Sequence, residues 1–548
     1  MGSYSSLLKL KPYIKKCKYW LLVGIVGMII CSVIYMPIPY LMGYIIDKIL
    51  LQHKSHFELY NYTALLALLY ILRYGIAIFS KKLFIKVDKL VVNEIRVSMM
   101  DKIIDLPMSF LAKKEKGYIL SRISECDSIG MLFSPMFVNT FLSIFDLIFA
   151  IIMMVALNYK LTIIILIMVP IYFFTVKTSS KKLSESTKLM LETGAVLSGE
   201  TFEVLNGIEE IKILNGKMFQ LKKFKTKLEE LVKNSIKQSK QILFFMENIT
   251  IVNNLATLVV LLFSGVMILN GNLTIGIYTA FVTYMSKVFG STTSFSSLSM
   301  TLKPVCVNIE RIYEFLELDN ENMGRTEVLK EPINTIIIDK IGFKYDKDGP
   351  DIINNLSCTI NKGDKLFIKG ENGSGKSTLI KILLGLYDAQ EGEIIINGSK
   401  YSTLNKNSIR KKIGIVSQNI FLFKGTVLEN ILYGQVNKDK SHVVSLIKEY
   451  KLEKYMDSFE NGLESVINQN GSGISGGQTQ IIAFLRANIT RKDIIILDEG
   501  TSNMDTETRE SILKILGEKD IADIIMVISH QEEGLDFINK TLYLGSDK

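Results

Sequence analysis

The chain has 548 residues, too many for one ordinary domain, and a mean hydropathy of +0.26, too apolar for a soluble enzyme. Its formal charge of +9 is modest, and its lysines cluster between apolar stretches, which points to basic loops at a membrane and away from a nucleic-acid binder. The five cysteines, Cys17, Cys31, Cys126, Cys306 and Cys358, have neither metal-site nor disulfide spacing and read as small apolar residues of a reducing compartment.

The first 18 residues form a basic tail with Lys9, Lys11, Lys15, Lys16 and Lys18, and positive charge ahead of a first span places the N-terminus in the cytoplasm. The apolar run from Trp20 is too long for the core of a cleavable signal peptide. Apolar spans run over 20–46, 60–79, 131–157, 161–176, 243–269 and 275–300, each near the length needed to cross a ~30 Å hydrocarbon core. Six crossings return the chain to its starting side. The loops 80–122 and 177–240 are long and basic and read as cytoplasmic; 47–59, 158–160 and 270–274 are short, carry few basic residues and read as external. Apolar residues at helical spacing within the long loops (Leu183, Leu189, Leu191; Val204, Ile208, Ile211) carry the helices past the bilayer.

Three charges fall inside the spans. Arg73, Asp146 and Lys287 each lie about a dozen residues from the external end, or roughly 20 Å at 1.5 Å per residue, so they share one depth. Such charges either neutralise one another as a structural pair or contact a substrate. The aromatics Phe141, Phe145, Phe244, Phe245, Tyr284 and Phe289 are read as helix packing, with a substrate cage as the other option.

Residues 1–319 thus form a membrane domain, 320–331 (NENMGRTEVLKE) a polar linker, and 332–548 a further domain. There, β-branched runs at Thr335 to Ile338, Ile394 to Ile396, Ile413 to Val416, Ile494 to Leu497 and Ile524 to Ile528 alternate with helical or turn segments. That is α/β patterning around a mostly parallel sheet. Gly370, Asn372, Gly373, Ser374, Gly375, Lys376, Ser377 and Thr378 complete a G-x-x-x-x-G-K-[ST] loop between an apolar strand and a helix. Its glycines let backbone N–H groups face phosphates at a positive helix N-terminus, Lys376 adds charge, and Ser377 offers a hydroxyl to Mg²⁺. The loop binds nucleotide phosphates. Asp498 and Glu499 end the strand begun at Ile494, and His530 ends the one begun at Ile524.

In this order the motifs resemble those of the ABC superfamily, specifically an exporter-type half-transporter with six membrane helices ahead of one nucleotide-binding domain. The resemblance covers nearly the whole chain. It implies a multidomain fold: an all-α six-helix membrane domain, then an α/β P-loop domain with an antiparallel β subdomain. Tyr345 is similar to the aromatic that stacks on adenine, with plain sheet packing as the lesser alternative. Gln418, followed by Phe421 to Thr426, resembles the Q-loop, a sensor linking Mg²⁺ to the membrane helices. Ser475, Gly476, Gly477 and Gln478 resemble the signature motif, Ser502 to Asp505 the D-loop, and His530 the switch histidine.

The resemblance also assigns chemistry. ATP hydrolysis requires an in-line water, Mg²⁺ and neutralisation of γ-phosphate charge. Asp498 would hold Mg²⁺ through water, with Ser377 and Gln418 beside it, while Glu499 polarises the attacking water and His530 meets the γ-phosphate. The signature serves the phosphate loop of a second copy, so the chain is expected to dimerise. Because Glu499, Gly476 and Gly477 are all retained, a homodimer is favoured over a heterodimer with one crippled site. Ile474 and Thr479 depart mildly from the pattern. Gln469 replaces a Glu that usually meets membrane-domain loops, here those around Pro107 to Tyr118 and Gly207 to Asn215. No peptidase domain precedes the first span, so any substrate leader would be cut by another protein. The expectation is a multi-pass plasma-membrane exporter of a small peptide or amphipathic compound, using ATP and Mg²⁺, with its ATPase domain cytoplasmic. The alternatives are a lipid flippase, or an ATP-gated channel or regulator.

Overall fold

The structure, a computed structural model, describes residues 2–53, 55–114, 116–346, 348–435, 437–468, 473–499, 506–529 and 532–545. It divides into two units: residues 1–101 with 116–317, and residues 102–115 with 318–548.

The first unit is helical. Its main helices are α1 (Lys18–Tyr35), α2 (Pro37–Tyr44), α3 (His56–Asp105, whose last turn belongs to the second unit), α4 (Pro135–Leu157), α5 (Tyr159–Asn206), α6 (Lys217–Leu269) and α7 (Ile275–Leu316). Their starts follow local chemistry. Ser134, Asn158 and Thr274 each accept a backbone N–H three residues on, capping α4, α5 and α7 at 3.2, 3.1 and 3.3 Å. Pro37, which needs no N–H partner, opens α2. Helices of 50, 48 and 53 residues (α3, α5, α6) are about 75 Å long, more than twice the ~30 Å hydrocarbon core.

Among the described residues, five helical stretches are long and apolar enough to cross a membrane: Lys18–Leu50, His56–Asp105, Gly117–Leu157, Tyr159–Asn206 and Lys217–Leu269. The sixth expected span does form a helix, α7, but Lys287 and the hydroxyl-rich run from Ser291 to Ser294 keep it out of that group. Much of the apolar surface, Leu65, Ile148, Leu258 and Leu262 among it, faces outward, as a chain solvated by lipid requires. Inside, Tyr172 stacks on Phe289 at 4.5 Å and its hydroxyl meets Thr293 at 2.7 Å. Tyr284 is also fully buried and bonds the carbonyl of Met36. Tyr284 and Phe289 are therefore packing residues, whereas Phe141, Phe145 and Phe244 are exposed.

At the far end of the first span, α2 runs into a π-helical turn, Ile45–Leu50, and touches the start of α7 backbone to backbone. A Cβ on Gly43 would lie 2.4 Å from the carbonyl oxygen of Gly276, and one on Gly276 2.0 Å from that of Gly43. Asp47 closes the contact, accepting from the N–H of Gly276 at 2.7 Å and from the hydroxyl of Thr274. A carboxylate there also meets the positive end of α7.

The second unit holds two main sheets and a two-stranded antiparallel ribbon of β7 (Gly425–Thr426) and β8 (Val466–Ile467). An antiparallel sheet runs in the order β2 (Ile353–Asn361), β1 (Thr335–Phe343), β4 (Glu391–Ile396), β5 (Ser399–Lys400). A parallel sheet runs β11 (Lys540–Leu544), β3 (Lys365–Gly370), β10 (Ala522–Ile528), β9 (Lys492–Asp498), β6 (Ile413–Val416). Its central strands are near-continuous buried runs such as Ile494 to Leu497 and Ile524 to Ile528, as a sheet covered on both faces demands. Register places Val527 opposite Phe367 and Ile528 opposite Asp498, so β3, β9 and β10 end along one edge. Residues 318–331 are tied into this unit: Arg410 holds Glu321 at 2.6 and 2.8 Å, and Arg325 reaches Asp388 at 2.7 Å.

Candidate functional site

The shared edge gathers the site. After β3 the chain turns through Gly373 (φ +85) and Gly375 (φ +92), left-handed conformations that cost glycine little, and α8 (Lys376–Leu383) begins. A Cβ at Gly370 would meet the Leu544 carbonyl oxygen at 2.2 Å, so only glycine fits the strand end. Lys376, 9% exposed, donates to the carbonyls of Gly370 and Glu371 at 2.8 and 2.9 Å, arching its ammonium over the loop. Asn372 and Gly373 form the exposed rim, and Thr378 is buried behind. The Ser374 hydroxyl is buried without a hydrogen-bond partner among the described residues. An orphaned hydroxyl in a glycine-rich loop just ahead of a helix N-terminus fits a phosphate.

The carboxylates stand beside it. Asp498, 7% exposed at the end of β9, accepts from the Ser377 hydroxyl at 3.2 Å. Burial pushes its carboxyl above the usual range, only partly opposed by that bond and by Lys381 and Lys376. One desolvated carboxylate and one hydroxyl suit Mg²⁺, which takes few protein oxygens and leaves positions for water and phosphate. Glu499 follows with φ +51, turned out of line with the strand, its N–H held by the Ile528 carbonyl at 3.0 Å. Its carboxylate accepts from the Gln418 side chain at 2.6 Å, so Gln418, just past β6, reaches across the strand ends. His530, Asp505 with the rest of Ser502 to Asp505, and Gln469 with Asn470 and Gly471 lie outside the described residues.

Tyr345 packs edge-on against Phe343 and Tyr387 at 5.0 and 5.3 Å, and its hydroxyl meets Thr378 at 3.1 Å. It remains 38% exposed, so packing leaves part of the ring open. Lys381, one turn into α8, stands 5.8 Å from that ring. Sequence reasoning passed over Lys381 and Tyr387; the 3.6-residue period of the helix was the available clue for the first. Lys113, in the 102–115 segment, pairs with Asp346 beside Tyr345 at 3.0 Å.

Ser475, Gly476, Gly477 and Gln478 open a second helix, α9 (Gly476–Asn488), through a reciprocal cap. The Ser475 hydroxyl accepts from the Gln478 N–H at 3.2 Å, and the Gln478 side chain accepts from the Ser475 N–H at 3.0 Å. The Gln478 amide is spent on Ser458. This is the second helix N-terminus of the unit that opens on motif glycines.

In the first unit, Arg73, Asp146 and Lys287 line a single cavity of about 800 Å³. Lys287 and Asp146 form an ion pair at 2.7 Å, while Arg73 lies over the ring of Tyr35 at 4.6 Å. Lys81, which the sequence reading assigned to a basic loop, joins the same wall.

The comparisons agree with this layout. Residues 21–292 match the family described as the ABC transporter transmembrane region, and residues 353–502 the ABC transporter family. The chain is 25% identical over 97% of its length, and 93% of the relative's, to YgaD of Bacillus subtilis (strain 168), provisionally named a multidrug export ATP-binding/permease protein. It is 24% identical over 98% of its length, and 93% of the relative's, to the ATP-dependent lipid A-core flippase of Haemophilus ducreyi. Its fold matches a bacterial Atm1-family ABC exporter solved with ATP bound, at a TM-score of 0.82 and 20% identity over 96% of this chain and 94% of that one.

Proposed function

Because the chain belongs to the ABC transporter family, as an exporter-type half-transporter that couples ATP hydrolysis to membrane transport, we propose that two copies form the working unit. In it the phosphate loop of one copy faces Ser475, Gly476 and Gly477 of its partner. The support is chemical: one chain opens two helices on glycine-containing motifs, a helix N-terminus favours an anion, and an ATP sandwich would use one from each side.

Within each site, Lys376 and the loop N–H groups grip the β- and γ-phosphates, Ser374 donates to them, and Tyr345 meets adenine. Ser377 and Asp498, with Gln418 brought in from Glu499, would hold Mg²⁺, which supplies screening of phosphate charge when bound. Glu499 accepts the proton that water sheds as its oxygen bonds the γ-phosphorus and the bond to ADP breaks. His530 and Asp505 are assigned to the same site from their sequence positions. The ATPase domain and N-terminus face the cytoplasm, and substrate leaves on the other side of the cell membrane. The substrate is an amphipathic small molecule, peptide or lipid. Movement of lipid between leaflets is a second reading, favoured by the charged wall of the cavity.

The observation that carries the ATPase assignment is the Glu499 carboxylate, turned out of its strand beside Asp498 and held by Gln418. Glu499→Gln keeps the size and loses the base, so turnover in lipid nanodiscs should fall about 10²- to 10⁴-fold while ATP binding persists. Unchanged turnover would remove Glu499 from the mechanism.

A further inference from the structure

The cavity in the first unit has an unbalanced wall. Arg73, Lys81 and Lys287 face it against one carboxylate, Asp146, among the described lining residues. Asp146 is already committed: its Oδ2 sits 2.7 Å from Lys287. Arg73 has the face of Tyr35, an attraction shared with Lys287, which lies 5.1 Å from the same ring. An aromatic face compensates a cation far less than a carboxylate does. Arginine cannot escape by shedding its proton, and an uncompensated charge at membrane depth is costly unless a partner arrives.

We propose that this cavity seats an amphipathic substrate with a single anionic group, phosphate or carboxylate. Arg73 and Lys81 supply its counter-charge, and Asp146 holds Lys287 out of that role. Arg73 and Lys81 are eight residues apart on α3, about 12 Å of rise, a separation that their two long side chains span by converging on one anion. Asn139 and Ser143, which line the cavity from α4, provide neutral hydrogen-bonding groups for the head. Met28, Ile71 and Leu142 supply the apolar surface that a tail needs. A cationic or choline head would set like charge against Arg73. A head with several negative charges would find the third cation already paired, which makes Asp146 a specificity determinant as well as a structural partner.

This assignment rests on reading the chain as a transporter, and the test separates the two. Saturable binding of radiolabelled dodecyl phosphate is measured on the full-length chain in phosphatidylcholine nanodiscs, with empty nanodiscs subtracted and ATPase turnover of the unmodified protein recorded in the same sample. The expected result is saturable binding that neither dodecyl phosphocholine nor inorganic phosphate displaces at equal concentration. Arg73→Gln and Lys81→Gln should each weaken it about tenfold, and Arg73→Lys should retain it. Asp146→Asn, by freeing Lys287, should tighten it, a gain that misfolding cannot mimic. No saturable binding, equal displacement by the phosphocholine, or unaltered binding in Arg73→Gln would overturn the proposal. Displacement by inorganic phosphate alone would do so too, since the site would then take a free anion. Binding with no ATPase turnover would sink the transporter reading and leave the anion site standing.

Discussion

Glu499 adopts a backbone conformation that costs a residue with a side chain about 1–2 kcal/mol, and the fold sustains it by anchoring its N–H to β10. Its neighbour Asp498 stores a different cost. Burial raises its carboxyl pKa, so the native fold holds that proton to a higher pH than the unfolded chain does. Stability without a bound cation therefore falls as pH rises from the ordinary carboxylate range to the raised value, and stays down above it. Asp498→Asn should remove this slope. It should melt higher than the unmodified protein at neutral pH without Mg²⁺, yet lose the stabilisation by Mg-ATP; a lower melting point without Mg²⁺ would refute the account. Lys376→Ala removes a charge-assisted contact worth about 1.5–3 kcal/mol, so nucleotide affinity should drop roughly 10- to 100-fold in a titration with a fluorescent ATP analogue. Asp146→Asn should destabilise by orphaning Lys287, and Asp146→Asn with Lys287→Met should recover much of the loss in a double-mutant melting cycle. Additive losses would show that the pair does not act as one.

Among the elements, those with a strong period or a fixed motif were legible in the sequence. The runs at Ile494 to Leu497 and Ile524 to Ile528 became the core of β9 and β10 because an uninterrupted aliphatic run has no solvated face to offer. β2 was not foreseen: its sequence, INNLSCTIN, has a burial pattern set by pairing with β1, which no local period reveals. β11 was missed too, five residues joined to β3 across the whole domain. The sixth span was read as apolar like the others, whereas its second half is hydroxyl-rich and packs inside the unit. At the site, the phosphate loop and the acidic pair could be read from residue types, but the reach of Gln418 to Glu499 depends on the neighbouring of β6 and β9. Lys81 went unnoticed because a lysine at the margin of a span looks like any loop lysine. The contact between α2 and α7 gives a test at this scale. Gly276→Ala forces a methyl to within 2.0 Å of a backbone oxygen and should cost about 1–3 kcal/mol, read as a lower melting temperature in nanodiscs. A neutral outcome would mean that the helices part easily.

For the whole molecule, the composite ATP site predicts a change of state. Glu499→Gln with Mg-ATP should accumulate closed dimers, because the doubly liganded sandwich is bound more tightly than the separated domains. Cysteines introduced as Ser374→Cys and Ser475→Cys should then cross-link between copies with Mg-ATP and not without it. Of the native cysteines, Cys17, Cys31, Cys126 and Cys306 are buried and Cys358 is half-buried, so replacing Cys358 gives a quiet background. Nucleotide-independent cross-linking would rule out ATP as the clamp.

The junction of Gly43, Asp47, Thr274 and Gly276 has a consequence for a resting cell. A passage that idles ajar lets ions run down the gradients the cell maintains. Two backbones that touch with no side chain between them have nothing to bridge even a small gap, so this contact is either whole or broken. Asp47→Ala, without its bonds to the start of α7, should therefore make nucleotide-free proteoliposomes permeable to small solutes.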